Sequence, residues 1–545
     1  MANVPIRQLG STGVITDVSN FNLPITAFTR AKNVRFTDGQ VSAGPVFRPI
    51  STAITAYVPA FCYTVVEPAN YDSILIVDTT FDIFEVSAGA TTQRLNGSLN
   101  ATGATISAAT LADVVYVNRS DTVPVARVPG ATNFTTLANW PSAHKATVIR
   151  AYGDFLLALG MVEGSSSFPN RIRFSDSVTA NSIPSTWDAS DLTNLAGFND
   201  LVQMQTPIMD GATLGDSFLI YSKDQVWAME FVGGTFIFNF RKIFNDAGVI
   251  SQDCIIELEG KHYVFDSDDI YVTDGQSRKS ICDGRVKNYI FTGLDNSKAD
   301  VCFAMHNSKT EELYFCYNSQ DDMVINNSPG GFPGVPKCNR AAVYNYKEDT
   351  WTFQDLPNAV AGVEANVNTT QTYASQNTQY RFMGGSYKDF DSPFAKHPIV
   401  LSNIGPAGPT GQIVPTANLY GLDFVDTGSL PGAYDTAISR SGYLERQGLD
   451  LDELGVSLSG YKNISKVLPQ ISTPDSDPNI VFAFGATDTP SGPVVYEGGQ
   501  SFNCSTDHKL DTRISGRYLS YKVSPQLKSF SFSGMDVEVN ITGKR

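Results

Sequence analysis

The hydrophobic pattern of the chain is that of short strands. No segment sustains the i, i+3, i+4, i+7 apolar spacing of an amphipathic helix without Gly, Pro or β-branched residues interrupting it. What recurs is an apolar run, a polar turn rich in Asp, Asn, Ser or Lys, and a second apolar or alternating run. Ile74 to Asp78 followed by Asp82 to Val86 is one such unit, and Val114 to Asn118 followed by Thr122 to Val125 is another. The format returns at Phe218 to Tyr221 with Val226 to Met229, and at Tyr263 to Phe265 with Ile270 to Val272. Each reads as a β-hairpin.

Strand starts at Ile74, Val114, Leu156, Phe218, Tyr263, Leu313 and Tyr380 lie roughly 40 to 67 residues apart, and four-stranded propeller blades repeat every ~40 to 50 residues. The spacing predicts an all-β fold: a β-propeller of five to seven blades with an additional β-rich C-terminal domain. The longer intervals hold insertions such as Asn326 to Asn339. Radial repetition lets each blade cover the hydrophobic face of the next, so that only short edges stay open. A succession of β-sandwiches is the alternative.

Four regions follow. Residues 1–50 form an N-terminal β segment that closes the ring or contacts a neighbouring protein, and residues 51–400 form the propeller. Residues 401–440 are a connector rich in Pro and Gly, including Gly405 to Gly411. Residues 441–545 form a C-terminal β-domain or ring-closing strands, with strands expected at Ile480 to Gly485, Arg517 to Val523 and Met535 to Val539. The length of 545 residues, with 44 glycines and 28 prolines, agrees with several domains of short strands and tight turns.

Charge narrows the partners. The chain carries 39 basic and 55 acidic residues, a net charge of −16, so long-range attraction to nucleic-acid phosphates or anionic lipid is disfavoured. The same sign suits a conduit through which DNA slides without sticking. The N-terminus lacks the apolar stretch of a signal peptide, and no uninterrupted apolar run reaches the length of a membrane span. Cys62, Cys254, Cys282, Cys302, Cys316, Cys338 and Cys504 form no CxxC pair and are expected to be reduced core residues from a cytosolic assembly environment.

Candidate chemistry is sparse. His144, His262, His306, His397 and His508 are dispersed, without HExxH or His-x-His spacing. Asp450 to Gly455 and Asp475-Ser476-Asp477 place oxygens at alternate positions but lack the full calcium-loop register. No GxxxxGK[ST] phosphate loop occurs. Ser175-Asp176 and Asp349-Thr350-Trp351 match fragments of the Asp-box of sialidase-like propellers but lack its glycine, so a turn-capping Asp is the simpler reading. Phe382 to Gly385 and Tyr344 to Trp351 match separate pieces of the kelch pattern without forming one repeat. No residue is assigned a catalytic, cofactor or metal role, no cofactor is expected, and interaction residues are not identifiable.

The order of several segments carries a further expectation. Gly13 to Asp17, Leu23-Pro24 and Asn33-Val34-Arg35-Phe36-Thr37-Asp38-Gly39 are followed by Arg171 to Asp176 with Pro184 to Trp187. After these come Phe231 to Phe238, Val343 to Trp351, Glu445 to Asp452 and Arg513 to Tyr521. The set resembles the tail nozzle or tail hub proteins of short-tailed bacteriophages (podoviruses). That resemblance implies a non-enzymatic virion protein, assembled in the host bacterial cytoplasm as a hexameric ring of side-by-side propellers below the portal and head-to-tail adaptor. It also implies contact with tail fibres or spikes, and transit of viral DNA without specific binding. A receptor- or glycan-directed tail propeller and a kelch-like interaction protein are the alternatives.

Overall fold

The computed structural model describes residues 2–45, 47–51, 53–66, 72–87, 90–100, 103–234, 236–320, 337–366, 396–403, 416–422, 442–456, 460–473, 478–490, 492–525 and 530–541. Among them the regular secondary structure is almost all strand, with one α-helix, Lys287–Gly293, and a few short 3-10 turns. Five consecutive sheets of four antiparallel strands span Pro59 to Ser280 and form blades one to five. A larger sheet supplies the last two blades, because the extended run Thr350–Ala365 belongs to both. Its first part pairs with Cys338–Asn345 as the outer strand of blade six, and its second part pairs with His397–Ser402. The run bends at Pro357-Asn358, where Asn358 takes φ 50°. Beyond the bend Gly362 lies against Phe303 and Met305 of the inner strand of blade six, so the second part starts blade seven at the axis.

The N-terminal strand Phe47–Pro49 pairs with Thr416–Leu422 and completes blade seven from the outside. The ring is therefore closed by a strand that precedes blade one in sequence, which leaves no long unpaired edge. Six of the seven expected strand starts, Ile74 to Leu313, fall in the second strand of successive blades. The seventh, Tyr380, lies outside the described residues, as do Gly405 to Gly411, Phe382 to Gly385, Asn326 to Pro336 and Asp475 to Asp477.

These second strands read as unbroken apolar runs because both of their faces are buried. In blade one, Leu75 and Val77 pack on Ile106, Ala108 and Val117 of blade two. The alternate residues Ile74 and Ile76 pack on Ile399, Leu401 and Leu419 of blade seven. Separate cores of this kind lie between successive blades.

Two domain boundaries differ from the sequence expectation. The connector 401–440 contains Thr416–Leu422, a strand of blade seven that is buried on both faces and so shows no polar alternation. The strands of residues 2–43 join those of 443–541 in one two-sheet sandwich, which is a long-range pairing no local pattern announces. In one sheet Ala2–Arg7 and Gln40–Ala43 both pair with Ser531–Ile541, which continues to Lys462–Ser472 and Leu510–Gly516. In the other, Arg30–Lys32 leads to Tyr443–Leu449, Tyr518–Ser524, Asn479–Thr487 and the short strand Val495–Tyr496. Phe482 meets Phe532 edge to face across the two layers, with ring centroids 6.1 Å apart.

The sandwich is fastened to blade six. Val14 N donates to Trp351 O at 2.9 Å and Asn33 N to Phe353 O at 2.8 Å. Arg35 Nε donates to Glu312 Oε1 at 2.9 Å, with side chains 11% and 3% exposed. Lys32 Nζ reaches Asp355 Oδ2 at 3.2 Å, and Asp355 N donates to Asn33 Oδ1 at 2.9 Å. Gly13, at φ 74°, sits where a Cβ would come within 2.9 Å of the Trp351 backbone, which is why this contact requires glycine.

Candidate functional site

The axis of a propeller is the usual place for a ligand, since the inner strands of all blades converge there. Here the linker entering blade five, Ser251 to Cys254, crosses that space. Gln252 Nε2 donates to Ile106 O of blade two at 2.7 Å, and Ser251 Oγ to Cys302 O beside blade six at 2.7 Å. Asp253 N donates to Asp210 Oδ2 of blade four at 2.9 Å, and Asp253 O accepts from Ala304 N of blade six at 2.8 Å. Asp253 takes φ 59°, a left-handed conformation that Asp tolerates better than most residues.

Arg150, near the end of the inner strand of blade three, ties this linker down. Its Nε and Nη2 bond both oxygens of Asp210 at 2.9 Å, and Nη2 also reaches Asp253 Oδ1 at 2.8 Å. Burial lowers the basicity of Arg150, but Asp210 and Asp253 raise it further, so the guanidinium stays charged. Burial, opposed by Arg150 and reinforced by Asp210, lifts the Asp253 carboxyl to about 6. Asp210 is saturated by Arg150, by its own neighbour Gly211 N and by Asp253 N. The arrangement is a charged clamp that holds three blades in register. Sequence reading passed over it, although an arginine ending the apolar run Thr147-Val148-Ile149 was a usable signal.

The residues weighed for chemistry lie apart. His144 sits 3.5 Å from Glu163 in blade three, and His262 bonds Tyr221 OH and Thr213 O at 2.9 and 2.7 Å between blades four and five. His306 faces Glu364 at 3.5 Å, His397 is buried in blade seven, and His508 is exposed on the sandwich. Asp450 Oδ1 accepts from Asp452 N at 3.1 Å, a local turn bond. Among the described residues no three His, Cys, Asp or Glu side chains gather as metal ligands. Asp176 accepts from Ser185 Oγ at 2.9 Å and Leu195 N at 3.0 Å. Asp349 accepts from Tyr344 OH at 2.9 Å and Arg285 Nη2 at 2.7 Å. Both carboxylates tie loops to groups distant in sequence, a different role from capping their own turns. None of the seven cysteines is disulfide-bonded; burial holds the thiols of Cys254, Cys302, Cys316 and Cys338, the last two in the core between blades six and seven, well above their usual range.

Of the ordered segments, those near the N-terminus and Val343 to Trp351 come together, whereas Arg171 to Asp176 lies in blade three and Phe231 to Phe238 in blade four. From the N-terminal runs Val14 meets Trp351, Asn33 meets Phe353 and Asp355, and Arg35 meets Glu312, while Thr16 N and Asp17 N both donate to Arg285 O and Asn288 N donates to Asp17 Oδ2. Within Glu445 to Asp452, Arg446 Nη2 reaches back to Leu23 O at 3.1 Å and its Nη1 to Asn20 O at 3.2 Å. The N-terminal runs and Trp351 build the joint between sandwich and propeller, while Arg446 ties the sandwich to its own N-terminal segment.

Charge is also divided between the two domains. Residues 47–422 hold 24 basic and 38 acidic side chains, whereas 2–43 with 443–541 hold 12 and 14. Nearly all the excess negative charge is therefore on the propeller.

No family model matches the chain, and no curated protein matches it. Among solved structures, that of YCF48 bound to D1 peptide is similar at TM-score 0.36 and 9% identity, covering 70% of this chain and 98% of that one.

Proposed function

We propose that this chain is a structural component of a short phage tail, a nozzle or hub protein whose copies form a ring below the portal and adaptor. The observation that carries the reading is the ordered set of phage-tail-like segments, of which the N-terminal runs and Val343 to Trp351 meet at the joint between sandwich and propeller. A generic propeller has no need of that joint. The axis of each propeller is crossed by Ser251 to Cys254, so in this reading DNA passes through an opening between copies, not through a blade ring. An acidic propeller wall repels phosphates and lets the genome slide. No residue has a catalytic role, and the partners are other copies, adaptor proteins and tail fibres or spikes.

Purified chain imaged by negative-stain microscopy is expected to form closed rings, six copies being the number the resemblance implies, and to leave sialosides and capsular polysaccharide uncut. Turnover of such a glycan, with no ring at any concentration, would replace this reading with that of a glycan-directed propeller.

A further inference from the structure

The turn between the second and third strands of blade one, Asp78 to Asp82, buries two carboxylates: Asp78 is 3% exposed and Asp82 5%. One oxygen of each is satisfied by N–H donors. Asp78 Oδ1 accepts from Thr80 N at 2.9 Å and Asp82 N at 2.8 Å, and Asp82 Oδ1 accepts from Gln93 Nε2 at 2.7 Å and Gly97 N at 3.0 Å. The two remaining oxygens face a single group. Thr80 Oγ1 lies 2.8 Å from Asp78 Oδ2 and 2.9 Å from Asp82 Oδ2, and it is also 2.9 Å from Asp78 Oδ1.

A threonine hydroxyl carries one proton. It donates to one carboxylate and must then accept from the other, because an ionised oxygen at this distance would set its lone pairs against those of the hydroxyl. The row from Asp78 through Thr80 to Asp82 is therefore one proton short unless a carboxyl supplies it. Asp78 is the carrier its surroundings favour. Burial raises its carboxyl above the ordinary value of 3.8; hydrogen bonds from Thr80 and from the Asp82 backbone act against this, and the charge of Asp82 acts with it. The charged side chains on the strands around the turn are committed to one another: Glu85 to Arg94 and Arg127, and Arg119 of blade two to Asp121.

The same turn fixes blade one at its entry and its exit. Thr79 N donates to Val58 O at the start of the inner strand, and Leu99 N donates to Thr80 O on the way to blade two. Arg119 Nη2 of blade two holds the end of that connection through Asn100 O at 2.6 Å. Within the turn Phe81, 4% exposed, takes φ 70°, a left-handed conformation that a bulky residue adopts when its surroundings impose it. A Cβ on Gly97 would come within 2.4 Å of the Phe81 backbone, so the connection lies directly on the turn.

We infer that Asp78 and Asp82 share one proton through the Thr80 hydroxyl, and that this proton latches blade one to the ring, so that its loss opens the turn together with the connection Gly97 to Asn100. The step is a deprotonation: Asp78 Oδ2 gives its proton to water, and Thr80 is left between two anions with one O–H. Opening releases a proton and is therefore favoured by rising pH. The latch is complete below the ordinary value of 3.8 and is lost as pH rises through the raised one.

Hydrogen–deuterium exchange of the full-length chain, read by mass spectrometry and corrected for intrinsic exchange rates, tests the latch. Over Thr79 to Asn100 the corrected wild-type rate should rise about tenfold per pH unit above 3.8 and then level off, since one proton is released on opening. In D78N an amide stands where the shared proton stood, and the rise should vanish. D82N supplies the same donor from the other side. At neutral pH each single variant should melt at or above the wild-type temperature, whereas D78N/D82N, with one donor too many, should melt below both. A wild-type rate that does not change with pH, or a rise that D78N leaves in place, overturns the latch. Single variants that both melt below wild type, as a bound cation in place of the proton would require, overturn it too.

Discussion

The propeller has two contrasting surfaces. On blade six, where the sandwich is attached, the contact is built from buried charge pairs and backbone hydrogen bonds: Arg35 with Glu312, Lys32 with Asp355, Asn33 with Phe353. On blades two to four the surface is apolar and open, with Phe231, Val232 and Phe236 in water. The first surface has its partner within the same chain, linked by sequence, so geometry is fixed and polar groups can be matched atom for atom. The second has no partner among the described residues. Specific charge pairs belong to contacts that are never unmade, whereas apolar surface suits a contact formed after folding.

Breaking the blade-six surface should therefore destabilise the fold. Arg35→Ala leaves Glu312, 3% exposed, with its cation removed, and removing one member of a buried pair costs about 3–5 kcal/mol. Equilibrium urea unfolding would register this as an earlier midpoint. Gly13→Ala forces a non-glycine residue into φ 74° against Trp351, for a loss of about 1–3 kcal/mol by the same assay.

The axial clamp adds a pH dependence between these extremes. Asp253 is held at about 6 in the folded chain against an ordinary value of 3.8, so protonation favours the folded state. Its stabilising contribution is complete below the ordinary value and is lost as pH rises through about 6. Thermal unfolding across that window should lose stability more steeply in wild type than in Asp253→Asn. Parallel curves for the two proteins would remove Asp253 from the account. The smallest effect on stability belongs to the exposed apolar residues of blade four: Phe236→Ser should change unfolding free energy by no more than about 0.5 kcal/mol. A Phe236→Ser variant that destabilises as much as Arg35→Ala would erase the contrast.

The blades were legible because their second strands are buried on two faces and so leave unbroken apolar runs such as Ile74 to Val77 and Leu313 to Tyr317. The third strand follows across a short polar turn, which made the hairpin visible. Blade seven was hidden. Its inner strand is the continuation of blade six past Pro357, its outer strand comes from residues 47–49, and Thr416–Leu422 lies in a stretch dominated by Pro and Gly. The sandwich was half visible: its C-terminal strands show alternation, as in Leu510–Gly516, but the pairing of Ala2–Arg7 with Ser531–Ile541 closes a loop longer than any local pattern can report. The clamp of Arg150, Asp210 and Asp253 left only isolated charges at strand ends, and nothing local joins residues from three blades.

The central claim is that copies of this chain make a ring whose opening lies between protomers. Two-dimensional class averages of purified wild-type chain, taken by electron microscopy, test it most directly. The account predicts closed rings with an open centre and closed individual propellers around it; single propeller–sandwich particles at every concentration would contradict it.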